Sequence, residues 1–137
     1  MQPIQLKFRG INSYREEQTL DFSPMGKAAV FGIFGPTGAG KSTILDAITL
    51  ALYGEVTRSK NKAQGVINQQ EKQAAVSFIF RLGEYTYQVE RTLVREKGKE
   101  FSARVKSCRL LRLEDQVVLA SDKTDEVTKG VVQLIGL

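Results

Sequence analysis

Gly35, Pro36, Thr37, Gly38, Ala39, Gly40, Lys41 and Ser42 constrain this chain more than any other stretch. They fit the phosphate-binding pattern G-x-x-x-x-G-K-[ST] at every fixed position. The context agrees. Val30, Phe31, Ile33 and Phe34 form a short apolar run, as expected of an interior strand. From Lys41 onward, Ile44, Leu45, Ile48, Ala51 and Leu52 recur at helical spacing and predict an apolar helix face. A strand, a glycine-rich turn and a helix in that order place backbone amides from Gly38 to Thr43 around an anion at a helix N-terminus. Glycines let the chain approach a phosphate closely. Lys41 is the candidate catalytic residue, placed to reach the β- and γ-phosphates of a nucleotide, and the Ser42 hydroxyl is the candidate Mg²⁺ ligand. The bland alternative is a glycine-rich turn that binds nothing; the full strand–loop–helix context weighs against it.

With 137 residues the chain has about the length of one domain. It is 42% hydrophobic and 26% charged, ordinary for a soluble globular protein. It shows no apolar run of membrane-spanning length and no signal-peptide pattern, so a cytoplasmic location without a membrane partner is expected. Cys108 is the only cysteine, which excludes an internal disulfide or a cysteine-based zinc site within these residues. It sits in a strand-like run and reads as a buried, inert thiol. There is no histidine, so imidazole acid–base chemistry is excluded. The net charge of +5 permits a polyanionic partner without requiring one.

The rest of the chain reads mostly as strands. Ile4, Leu6 and Phe8 alternate with polar residues, 10–13 is a turn, and 20–22 is a second strand pairing with the first. Ser23, Pro24, Met25 and Gly26 form another turn. Gly54 is a candidate helix C-cap, and 55–72 is a long polar surface loop. Residues 76–94 read as a hairpin turning at Gly83 and Glu84, with Tyr85 and Tyr87 on one strand face, read as packing into the sheet with base stacking as the alternative. A further strand spans 101–113, with Ala103, Val105, Leu111 and Leu113 on one face and Arg104, Lys106 and Arg112 on the other. After 117–120, Ser121 or Asp122 is expected to cap a helix with the apolar stripe Val127, Val131, Leu134 and Ile135, ending at Gly136.

The words around the loop narrow the class. FGPTGAGKSTILDAITLALYGE at 34–55, INSYREEQTLDF at 11–22 and the terminal LIGL closely resemble the ATPase head of SMC-like DNA-repair ATPases, the SbcC type in particular. The resemblance implies an α/β fold: a P-loop NTPase of ABC/SMC type, of which 1–137 would be the N-terminal half. That half would form an N-terminal lobe with a mixed or antiparallel β-sheet and the P-loop helix. In that family a long coiled coil separates the two halves of the head. The Q-loop, signature, Walker B acids, D-loop and zinc hook would lie outside these residues. The resemblance further implies ATP and Mg²⁺ as cofactors. Implied partners are the C-terminal half of the same head, a second head in a homodimer, an SbcD-type nuclease subunit and double-stranded DNA. Carried over by position, the nucleotide-binding residues are Gly35 to Ser42 with Thr43, the turn pair Asn12 and Ser13, and the segment near Ile67 and Gln69. Relatives often carry arginine where this chain has Asn12.

Basic residues crowd two regions: Arg58, Lys60 and Lys62 in the long loop, and Arg95, Lys97, Lys99, Arg104 and Lys106 later. They read either as a track for DNA phosphates, Arg104 and Lys106 being its candidates, or as a solvated strand face. No helix-turn-helix or zinc-finger spacing is present, so DNA contacts would be to backbone. Asp46 lies one turn after Ser42 and is read as a local cap or pair rather than an outer partner of the metal. Glu16 and Glu17 are adjacent and should point apart. Three alternatives stay open: a chromosome-organising SMC head without a nuclease, a free-standing P-loop kinase or GTPase, and a module that only binds. A guanine-reading N-K-x-D is absent, which weighs against the second.

Overall fold

The computed structural model describes residues 1–22, 39–54, 67–68, 70–95 and 103–136, with side chains omitted for 39–42 and 103. The expected strand at 30–34, the turn at 23–26 and most of the loop at 55–72 therefore lie outside the described residues.

Six strands form one antiparallel sheet: β1 (Gln2–Arg9), β2 (Gln18–Asp21), β3 (Gln73–Leu82), β4 (Tyr85–Arg95), β5 (Ala103–Arg112) and β6 (Val117–Ser121). Their order is β2-β1-β3-β4-β5-β6. All five strand pairings among the described residues are antiparallel. Leu82 pairs with Tyr85 across Gly83, whose φ of 65° suits the two-residue turn. Alternation then sorts the side chains. Leu6, Phe8, Val76, Phe78, Phe80, Tyr87, Val89, Arg91, Leu93, Cys108 and Leu110 are buried, while the alternate residues between them stay at least partly wet.

Two helices cover the apolar face. Helix α1 (Ala39–Tyr53) touches β1, β3 and β4, and α2 (Thr124–Ile135) touches β5 and β6. On α1 the deepest residues are Ala47, Leu50 and Ala51, fully buried, with Thr43, Asp46 and Leu52 nearly so. The stripe expected from the sequence is met in part: Ala51 and Leu52 are buried, whereas Ile44, Leu45 and Ile48 are half-buried at the margin of the core. On α2 the expected Val127 and Val131 are buried, with Leu134 and Ile135 packed at the margin.

Three local expectations change. The N-cap of α2 is Lys123 with no side-chain capping bond, because Asp122 takes φ 71° and donates its amide to the Cys108 carbonyl just past the end of β6. Asp125 and Glu126 in the first turn favour the helix dipole instead. The face assignment along β5 breaks at a bulge. Thr92 pairs with Ser107 and Leu93 with Val105, leaving Lys106 as the extra residue. Beyond it Cys108 and Leu110 face the core, so the two faces of β5 exchange parity. Finally, Tyr87 stacks on Phe80 in the core, centroids 5.7 Å apart, whereas Tyr85 is 42% exposed under the Arg112 guanidinium at 4.9 Å.

Candidate nucleotide site

Helix α1 starts at Ala39, inside the phosphate-loop motif, so Gly40, Lys41 and Ser42 occupy its first turn. Its first amides have no partner within the helix, and no acidic side chain lies in that turn to occupy the positive end of the dipole. Gly35, Pro36, Thr37 and Gly38 lie outside the described residues, as does Gln69.

The turn at 11–14 is held against this end of α1. Ile11 and Tyr14 exchange backbone bonds of 3.0 and 2.9 Å. Asn12 between them has φ 51°, which asparagine tolerates better than most residues. Its Nδ2 donates to Thr43 Oγ1 and to Asp46 Oδ2, both at 3.1 Å. Thr43 and Asp46 are 3% and 6% exposed. Asp46 thus bonds a residue 34 positions away rather than serving only as a local pair. Ser13 is exposed beside Asn12.

A third piece closes on this turn. Ile67 is buried and bridges Ile11. Asn68 donates its amide to the Gly10 carbonyl and its Nδ2 to the Asn12 carbonyl, each at 2.7 Å. Gly10 is required here: its φ is 67°, and a Cβ would meet the Gln73 carbonyl at 2.5 Å. Three sequence-predicted nucleotide residues, Asn12, Thr43 and Ile67, are therefore brought together from three distant stretches.

Two arginines that sequence reasoning did not single out for this role hold the arrangement. Arg95 donates Nε to the Glu71 carbonyl and Nη2 to the carbonyls of Ile67 and Asn68, all at 3.0 Å. Its head is committed to backbone, so it leaves the basic track expected from sequence. Arg91 is 1% exposed in the inward register of β4. It donates to the Ala51 and Leu52 carbonyls at the end of α1, and to Thr124 and Thr128 of α2. Burial pushes its guanidinium down to about 10, so it stays charged at neutral pH. The signal for Arg91 was a single charge interrupting Tyr87, Val89 and Leu93; the signal for Arg95 was absent, since its partners are backbone carbonyls.

Among the remaining candidates, Arg104 and Lys106 are exposed on β5. Arg58, Lys60, Lys62, Lys97 and Lys99 lie outside the described residues. Cys108 is buried, and burial raises its thiol further from ionisation, as expected of an inert thiol. The polar face of the sheet carries a shallow cleft of about 150 Å³ between Lys7, Arg9, Glu17 and Glu90, which includes none of the nucleotide candidates. No cluster of acids and thiols capable of holding a metal occurs among the described residues. The chemistry of α1's first turn nonetheless fits a nucleotide with its magnesium: amide donors and a lysine for phosphate, and a serine hydroxyl of the type Mg²⁺ accepts beside phosphate oxygens. No helix among the described residues is long and apolar enough to cross a membrane.

Comparison with known families agrees with this geometry. A model of the AAA domain matches residues 5–135. The chain belongs to that family of P-loop ATPase domains, whose defining property is nucleotide binding. Within it the sequence is of the SbcC type. It is 46% identical over 140 residues to the SbcC component of nuclease SbcCD from Bacillus subtilis, covering 100% of this chain and 12% of that one. It is 39% identical over 141 residues to the SbcC component from Clostridium acetobutylicum, again 100% of this chain and 12% of the relative. A protein of Aquifex aeolicus named "Probable DNA double-strand break repair Rad50 ATPase" is 36% identical over 140 residues, 100% of this chain and 13% of its own. The chain therefore spans a small part of the length of the relatives it matches.

Proposed function

We propose that these residues form the N-terminal half of an ABC/SMC-type ATPase head that binds ATP with Mg²⁺. Together with a C-terminal half, the head hydrolyses ATP and closes on a second head. Closure controls an SbcD-type nuclease at DNA ends and hairpins during double-strand-break repair. The observation that carries the reading is the complete phosphate-loop motif leading into α1, with the Asn12 turn and the Ile67 segment assembled at the start of the same helix.

The roles follow from the chemistry. The first amides of α1 and the Lys41 ammonium bind the phosphates, and Lys41 neutralises charge on the β- and γ-groups. Ser42 and Thr43 stand beside the same phosphates, with Thr43 held in place by Asn12. Bound Mg²⁺ supplies charge neutralisation and a template for the phosphates. Arg104 and Lys106 contact DNA phosphates without reading bases.

Titrating ATP into the chain and its Lys41→Ala variant tests the central claim. Lys41→Ala removes a charge-assisted contact worth roughly 1.5–3 kcal/mol, a loss of about tenfold to a hundredfold in affinity. Equal affinities would remove the basis for the reading.

A further inference from the structure

Ile67, Asn68 and residues 70–72 belong to no named strand or helix before β3 begins, so contacts other than a regular ladder must fix them. One side of this segment is tied to the turn at 11–14, by the bridge from Ile67 to Ile11 and by the two bonds from Asn68 to Gly10 and Asn12. The other side is tied by Arg95, while Arg15 Nε adds an exposed bond to the Glu71 carboxylate at 3.1 Å. Arg95, the last residue of β4, uses its side chain on the carbonyls of Ile67, Asn68 and Glu71, and its own amide on the Lys72 carbonyl at 2.9 Å. The chain of bonds then continues inward: Asn68 to Asn12, and Asn12 to Thr43 and Asp46 on α1.

We infer that Arg95 is a positioning residue for nucleotide binding: it holds the segment bearing Ile67 and Asn68 against the Asn12 turn, and so sets the geometry of the start of α1. The inference rests on the nucleotide-binding reading above. A planar guanidinium suits the task, because its donors diverge in one plane toward several fixed carbonyls, whereas a lysine ammonium is a compact point charge on a flexible stem. The three side-chain acceptors are neutral backbone oxygens, so the contact is directional and insensitive to the ionisation of any partner. Arg95 acts on α1 through Asn68 and Asn12.

The test uses these 137 residues and measures Mg²⁺-ATP affinity by calorimetry, well below the melting midpoint of each variant. The variants are Arg95→Ala, Arg95→Lys, Asn68→Ala, the double Arg95→Ala/Asn68→Ala, and Lys41→Ala. Arg95→Ala should weaken ATP binding by about tenfold, within the range that residues away from a ligand reach through a packed network. Arg95→Lys should recover little of the loss. Asn68→Ala should weaken binding in the same direction, and the double variant should lose less than the two single losses combined, because both break one chain of contacts. The amide resonances of Thr43 and Asp46 should move in Arg95→Ala without nucleotide. Should Arg95→Ala fail to fold, Asn68→Ala carries the same expectation by itself. A purely structural Arg95 would lower the melting midpoint and leave ATP affinity and those resonances unchanged; that result, or additive losses, would overturn the inference. The controls separate the two claims. If the unmodified chain binds no ATP, or Lys41→Ala binds as well as it does, the nucleotide reading falls and this inference with it. If Lys41→Ala alone loses binding, only the role of Arg95 falls.

Discussion

Arg91 shows what one buried charge does in this fold. It stands in the inward register of β4, where its neighbours are Val89 and Leu93, yet none of the polar atoms buried in its head goes unpaired. Nε and Nη2 take the carbonyls of Ala51 and Leu52, which the end of a helix leaves unsatisfied. The other contacts reach Thr124 and Thr128, and Thr128 in turn donates to the Tyr53 carbonyl at 3.2 Å. Gly54 completes the joint. Its φ is 77°, and a Cβ there would meet Arg91 Nη1 and Thr124 Oγ1 at 3.0 Å each. Arg91 therefore joins the end of α1 to the start of α2 through the sheet. Arg91→Ala should destabilise the fold by roughly 2–5 kcal/mol, since it leaves buried carbonyls without donors. Arg91→Lys should recover only part, because one ammonium cannot span both helices. Chemical denaturation checks this; a loss of a few tenths of a kcal/mol would show the carbonyls finding water instead.

At the scale of elements, the bulge in β5 decides which charges face out. Lys106 is the unpaired extra residue, Arg104 pairs opposite Val94, and both are exposed. Arg109, further along the same strand, is already engaged by Glu90 at 3.1 Å. Arg95 is committed to carbonyls. Of the basic residues described in this region, Arg104 and Lys106 remain the candidates for DNA phosphates. Replacing both with glutamate should lower affinity for all duplexes alike. It should also flatten the dependence of binding on salt, by about one unit of slope for each phosphate no longer neutralised. An unchanged slope would assign them to a solvated strand face. The neighbouring β6 lies at the sheet edge with Val117, Val118 and Leu119 exposed by 39, 48 and 41%, an apolar edge of the kind that proteins usually cover or charge.

For the whole molecule, phosphoryl transfer needs phosphates held, magnesium coordinated and a water aligned for in-line attack. Lys41, Ser42 and the amides of α1 answer the first need and part of the second. The sequence holds no apolar run ending in an acidic pair and no histidine. Asp46 shares a helix with Ser42 and accepts from Asn12, so it does not stand across the phosphates as a water-orienting base. On the proposed split-head reading, the expected outcome is that the 137 residues alone bind ATP without turnover, and that adding the proposed C-terminal half restores phosphate release. Turnover by the chain alone, abolished by Lys41→Ala, would instead indicate a compact P-loop enzyme.

The hairpin β3–β4, the pairing of β1 with β2, the helix at 124–135 and the Gly54 terminus were all legible in the sequence, because each rests on local periodicity or a local backbone requirement. The phosphate-loop motif is readable from sequence because its residues are contiguous, and residues 35–38 lie outside the described ones. What only the tertiary structure decided depends on residues far apart. The packed face of α1 is centred on Ala47, Leu50 and Ala51, so that Ile44, Leu45 and Ile48 from the apolar recurrence end at its margin. The parity of β5 turned on one extra residue at Lys106, which no alternation pattern announces. Arg95 reads as a surface charge in sequence, since backbone carbonyls, its partners, leave no trace in side-chain identity. Asn12 and Asp46 meet across 34 positions because the sheet places the 11–14 turn over the first turns of α1, a proximity that no spacing along the chain encodes.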